Sequence, residues 1–162
     1  MSASFQTAYA LGRKYEQVLL RTLNFNNITS YKVASGYFKD WDVFVQSKDG
    51  RTITFESKAD TFAQSTNELA IEFRYRNQPS GIESTKASFW VHWVVGTRRY
   101  YIIPTRVLRR IIDDGKYTSI KRGGDGAMSA MYIVECDTVK EYERELGDDV
   151  ECILERSIPC PA

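Results

Sequence analysis

Asp42, Glu56 and Lys58 are the residues whose types and spacing invite chemistry. Asp42 lies in YFKDWDVFV, just ahead of an apolar run, while Glu56 and Lys58 lie in TITFESKAD. These two β-rich runs, 37–45 and 52–58, flank SKDGR, whose Asp49-Gly50 pair is a strong hairpin signal, so they read as antiparallel neighbours. Side chains alternate along a strand, which sends Glu56 and Lys58 to one face and Ser57 to the other. A turn at Asp49-Gly50 makes opposed positions sum to about 99 and sets Asp42 roughly opposite residue 57. Three ionisable side chains therefore converge on one patch.

Two carboxylates a few ångströms apart repel each other, and strands this apolar exclude them unless something compensates the charge. A divalent cation is the natural compensator. Oxygen donors of this kind suit Mg²⁺ or Mn²⁺, with Asp42 and Glu56 as metal ligands and the Ser57 carbonyl as a further one. Lys58 then stands where it can orient or deprotonate a water on the metal, or neutralise charge building on a phosphate. Metal plus lysine is a phosphodiester hydrolysis site. The bland reading of the same residues is an exposed cross-strand salt bridge between Asp42 and Lys58, since a Glu-x-Lys triplet alone arises by chance in roughly half of chains of this length. Asp40 is the main rival for the metal. Glu72, in NELAIEFRYR, is either site-adjacent or paired with Arg74 or Arg76, and His92, alternating with Trp90 and Val94, reads as a structural residue.

The elements that must position these residues follow from periodicity. Phe5, Ala8, Leu11, Tyr15, Val18, Leu19 and Leu23 recur at intervals of three and four and predict an amphipathic helix over 5–23, broken by Asn24, Asn26 and Asn27. A strand over 28–34 precedes the hairpin, and a polar crossing segment follows it. ASFWVHWVV and RRYYIIP predict two further strands, then a helix capped by Thr105 and ended by Gly115. KRGGDGAMSA reads as a loop, MYIVEC as a strand and VKEYEREL as a last helix reaching Gly147, before a tail ending in SIPCPA. The order suits a mixed sheet with helices packed on it.

The chain of 162 residues suits one domain over 1–162; its 43% apolar, 27% charged and 13% aromatic residues are those of an ordinary globular protein. Twenty-two basic against 21 acidic residues leave +1, so affinity for a polyanion must come from local clusters. Those clusters are Arg74 and Arg76 flanking Tyr75, Arg98 with Arg99, Arg106 with Arg109 and Arg110, and Lys121 with Arg122. Cys136, Cys152 and Cys160 make neither a disulfide framework nor a zinc knuckle, which implies a reducing compartment. With no membrane span and no signal peptide, a cytoplasmic location is expected.

Over roughly residues 10 to 135 the chain resembles the PD-(D/E)XK nuclease superfamily, particularly small single-domain members such as archaeal Holliday junction resolvases and phage-encoded relatives. The resemblance rests on GRKYEQVL, WDVFV, FESKAD, NQPSGIESTKASFWVHWV and YYIIPTRVL. Asp42 matches the motif aspartate and Glu56-Ser57-Lys58 the (D/E)-x-K element, although Trp41 replaces the proline. The resemblance implies that Glu16, on the first helix, joins the metal site. It also implies an α/β, restriction-endonuclease-like fold, a mixed central β-sheet flanked by helices. The implied activity is Mg²⁺- or Mn²⁺-dependent hydrolysis of DNA by a metal-held water that leaves a 5′-phosphate, with junctions or flaps among the implied substrates. Ser84, Thr85 and Lys86, in the block after the lysine strand, would donate to a phosphate, and Lys121 and Arg122 would follow the backbone from a glycine-rich loop. A homodimer through the aromatic FWVHW strand would let two sites address two strands. The alternative is a catalytically inactive nuclease-fold module that binds nucleic acid or protein.

Overall fold

The computed structural model describes residues 3–23, 25–36, 38 and 40–146. The described residues form a mixed α/β protein with two sheets and four α-helices. Helix α1 (Ala3–Thr22) forms where the three-and-four spacing predicts it, and it lays Tyr15, Val18, Leu19 and Leu20 on the first sheet. That sheet has the order β1-β2-β3-β6-β7, from β1 (Ile28–Val33), β2 (Val43–Ser47), β3 (Thr52–Asp60), β6 (Phe89–Val94) and β7 (Tyr100–Pro104). β1, β2 and β3 form an antiparallel meander, β6 runs parallel to β3, and β7 returns antiparallel to β6.

A parallel neighbour requires a crossover. Here it contains α2 (Ala63–Thr66), β4 (Glu68–Tyr75) and β5 (Gln78–Pro79), so the segment expected to be a polar crossing carries a strand of eight residues. β4 pairs with β9 (Ser129–Glu135), and β9 with β8 (Ser119–Gly123), giving a second sheet of order β5-β4-β9-β8 in place of one central sheet alone. Alternation along β6 explains the layering. Val91 and Trp93 face the α1 core, while Trp90 and Val94 enter a second core with Leu69, Ile71, Val134 and helices α3 (Thr105–Asp113) and α4 (Cys136–Leu146).

The structure corrects several expectations. Residues 40–42 precede the strand, which begins at Val43. Thr105 does not cap α3; it is the first residue of that helix, and its buried Oγ1 has no hydrogen-bond partner among the described residues. Lys121 and Arg122 lie in β8, paired to β9, because backbone hydrogen bonding holds them although only Ile120 near them is strongly apolar. FWVHW is no exposed interface. It is an interior strand with Trp90, Val91, His92 and Trp93 all at 0% exposure. Asn24, Tyr37, Gly147 and the tail through SIPCPA, with Cys152 and Cys160, lie outside the described residues. Among the described residues no helix is long and apolar enough to cross a membrane.

Candidate active site

The hairpin that assembles the site turns one residue differently from the simplest reading. Ser47 N donates to Arg51 O at 2.9 Å and Gly50 N to Ser47 O at 3.0 Å, so three residues form the loop, with Gly50 at φ +86°. This is the three-residue hairpin with a left-handed glycine, in place of a two-residue turn on Asp49-Gly50. Asp49 helps by accepting from Ser47 Oγ and from Arg51 N. Val43 consequently pairs with Phe55, and that register carried one step past the ladder sets Asp42 opposite Glu56 instead of residue 57. Because directly opposed residues share a face, the correction brings Asp42 onto the face of Glu56 and Lys58.

Just before β2 begins, Asp42 extends the ladder with its backbone and its carboxylate. Asp42 N donates to Phe55 O at 2.8 Å, and Ser57 N donates to Asp42 Oδ2, also at 2.8 Å. The N–H and C=O of one residue in a strand point to the same neighbour, so the Ser57 carbonyl also faces the β2 side, past the last residue with which β2 pairs. Ser57 Oγ turns to the other face and accepts Trp93 Nε1 at 3.0 Å, as alternation requires. Lys58 Nζ lies 2.7 Å from Glu56 Oε1 and 5.7 Å from the Trp90 ring centroid. The lysine therefore pairs with Glu56, not in an exposed bridge to Asp42.

Electrostatics bind the set together. Burial, then the Glu56 carboxylate, push the Asp42 carboxyl up to about 6, against Lys58 and the Ser57 amide. Burial and Asp42 raise Glu16, on α1, to about 7, although Arg13 Nη1 lies 2.5 Å from its Oε2. Burial works against the Lys58 ammonium, but Glu56 and Asp42 outweigh it and hold its pKa above the ordinary lysine value. Glu16, Asp42, Glu56 and Lys58 thus share one field. Among the described residues no group of three or more His, Cys, Asp or Glu is gathered closely enough to hold a metal as positioned. Lys58 and Arg13 hold carboxylate oxygens of Glu56 and Glu16 that a cation would use. Buried carboxyls with raised pKa are nonetheless a donor set whose repulsion a divalent cation would offset, and the Ser57 carbonyl adds a neutral oxygen beside them.

The residues expected to meet phosphate are placed differently. Thr85 is 2% exposed and turned inward. Its Oγ1 lies 3.0 Å from Glu56 Oε2 and 3.2 Å from the Asp40 carbonyl oxygen, and it accepts Ala87 N at 3.1 Å. Arg109 Nη2 clamps the Thr85 carbonyl at 2.6 Å. Thr85 therefore fixes Glu56 and is not available to a phosphate. Ser84 sits at the end of a short 3-10 turn (Gly81–Glu83), its Oγ donating to Gly81 O at 3.4 Å. Lys86 is exposed and pairs with Asp40 Oδ2 at 2.9 Å, which gives that rival carboxylate a cation of its own. Lys121 and Arg122 are exposed on the outer strand of the second sheet, two strand spacings or roughly 10 Å from β4.

Glu72 belongs beside the site. Its oxygens accept Ser80 Oγ at 2.7 Å and Ser129 Oγ at 2.6 Å, with neither Arg74 nor Arg76 as partner, and its charge adds to the field on Lys58. His92 is structural, as expected. Trp90 Nε1 can only donate, so His92 Nδ1 accepts it at 3.2 Å and the proton resides on Nε2, which donates to Asp60 Oδ2 at 2.9 Å. Asp60 also accepts the amides of Phe62, Ala63 and Ala70, tying β3 to α2 and β4. Burial disfavours its charge, yet the His92 and backbone hydrogen bonds hold its pKa below the usual carboxylate value. No family model, curated protein or solved structure matches the chain.

Proposed function

We propose that the chain is a metal-dependent deoxyribonuclease of the PD-(D/E)XK kind, and that the five-stranded sheet with α1 is a restriction-endonuclease-like core. One observation carries the reading: Glu16, Asp42, Glu56 and Lys58 share one electrostatic field where β2 begins beside β3, with the Asp42 and Glu16 carboxyls raised to about 6 and about 7. Asp42, Glu56, the Ser57 carbonyl and Glu16 would hold a Mg²⁺ or Mn²⁺ ion, which would supply Lewis-acid stabilisation of a phosphate oxygen and an acidified water. The chain's own part is to aim these oxygens. Ser57 N fixes one oxygen of Asp42, and Thr85 fixes one of Glu56. In the cation-free chain Glu56 and Asp42 favour the Lys58 ammonium, which suits a role of placing positive charge beside the developing charge of the phosphate. Exchange of Lys58 from Glu56 Oε1 to a substrate oxygen would free that carboxylate for the cation. Lys121 and Arg122, exposed at the edge of the second sheet, are available to a more distant phosphate.

Calorimetric titration of Mn²⁺ into the chain and into Asp42→Ala, beside cleavage of matched DNA and RNA strands, tests the reading. Cation binding lost in the variant, with DNA cut in preference to RNA, supports it. A chain that holds no cation and cuts neither strand is a nuclease-fold binding module instead.

A further inference from the structure

The meander end of the first sheet carries a surface that the chemistry of the site leaves unused. Val43 and Val45 face α1, so Asp42 and Phe44 face the opposite side, and Lys32, paired with Phe44 across β1 and β2, faces it too. β1 is exposed from Thr29 to Lys32, and Gln46 at the same face of β2 is exposed as well. On this side the rings of Phe38, Trp41 and Phe44 form a chain, with centroids 4.9 Å and 5.6 Å apart. Phe38 is 47% exposed. Lys32 Nζ stands 5.8 Å from the Phe44 centroid, and the exposed Lys86 is anchored on the same loop through Asp40. Trp41 directly precedes Asp42.

We propose that this aromatic ledge stacks unpaired nucleotides and leads a single strand into the site, which makes the substrate single-stranded or frayed nucleic acid. The proposal rests on the nuclease reading only for the direction of the strand. Every base has a π-face, and stacking on aromatic rings binds single strands without regard to sequence. A closed duplex keeps its base faces covered and offers the ledge only phosphates. Lys32 and Lys86 supply cations of the sign that a phosphate backbone needs, in a chain whose net charge of +1 provides no general attraction. Three packed rings beside lysines, next in sequence to the candidate metal aspartate, suit a polyanion with aromatic bases better than an apolar partner.

The three tryptophans make the test direct, because Trp90 and Trp93 are fully buried and Trp41 alone is part-exposed. An oligothymidylate of about twelve nucleotides, titrated in the presence of chelator, should quench Trp41 emission and bind at least about fivefold more tightly than a blunt duplex of equal length. Phe38→Ala should weaken the single strand by roughly fivefold or more. Equal affinity for strand and duplex, or a Phe38→Ala variant that binds normally, overturns the ledge. A chain that stacks single strands and never cuts them keeps the ledge and loses the hydrolase reading; one that cuts without strand preference does the reverse.

Discussion

Asp42 stands where burial and the Glu56 carboxylate both oppose its ionisation, and Glu16 bears a similar burden from burial and Asp42. A carboxyl whose pKa rises from 3.8 to about 6, or from 4.5 to about 7, keeps its proton in the native state over a range where the unfolded chain has released it. Native protons exceed unfolded ones there, so stability is full below the unfolded values and is lost as pH rises to about 7. The cation-free protein should therefore melt at progressively lower temperature from mildly acid to neutral pH. Asp42→Asn, which can still accept Ser57 N, should be more stable than the unaltered chain at neutral pH by on the order of 1 kcal/mol. A melting temperature independent of pH across this range would contradict the burial cost assigned to the two carboxyls. Thr85 gives a second test at the same scale. Thr85→Val removes the hydroxyl that holds Glu56 and should weaken Mn²⁺ binding by roughly tenfold, while Thr85→Ser keeps it; titration of both variants separates positioning from packing.

Among the elements, the short turn at 81–83 is what carries Thr85 to Glu56, and it depends on one glycine. Gly81 has φ +48°, and a Cβ there would lie 2.1 Å from the Glu72 carbonyl oxygen. Gly81→Ala must push the turn away from β4, so it should cost more than about 1 kcal/mol in chemical denaturation and loosen Thr85 along with it. The elements also divide by how they can be read. α1 is visible in its apolar spacing, and the hairpin in Asp49-Gly50, although only the hydrogen bonds of the loop decide between two and three turn residues. Leu69, Ile71 and Phe73 fall on alternate positions as in a strand, but the charges of ELAIEFRYR and the crossover position disguise β4 as a polar segment. β8 has little apolar pattern of its own and exists through its pairing with β9. Thr85 on Glu56, 29 residues away in sequence, is a contact that only the folded topology creates.

At the scale of the whole molecule, the sheet is the frame on which the candidate site depends. α1 covers one face and delivers Glu16; the second sheet, α3 and α4 cover the other and deliver Glu72 and the Arg109 clamp on Thr85. The Trp90–His92–Asp60 chain of hydrogen bonds joins the layers behind Lys58, so the ammonium is held beside its carboxylates by packed structure on one side and is a third exposed on the other. Buried charge kept next to buried charge is costly for a domain of this size, and such cost is commonly found where a fold serves chemistry. The most direct test is cleavage of labelled single-stranded, flap, duplex and four-way-junction DNA with Mg²⁺ or Mn²⁺, comparing the chain with Lys58→Ala. The account predicts cutting that requires the cation and falls by roughly a hundredfold or more in a variant that still folds and binds DNA. Cutting that survives in chelator, or that Lys58→Ala performs at full rate, would contradict it.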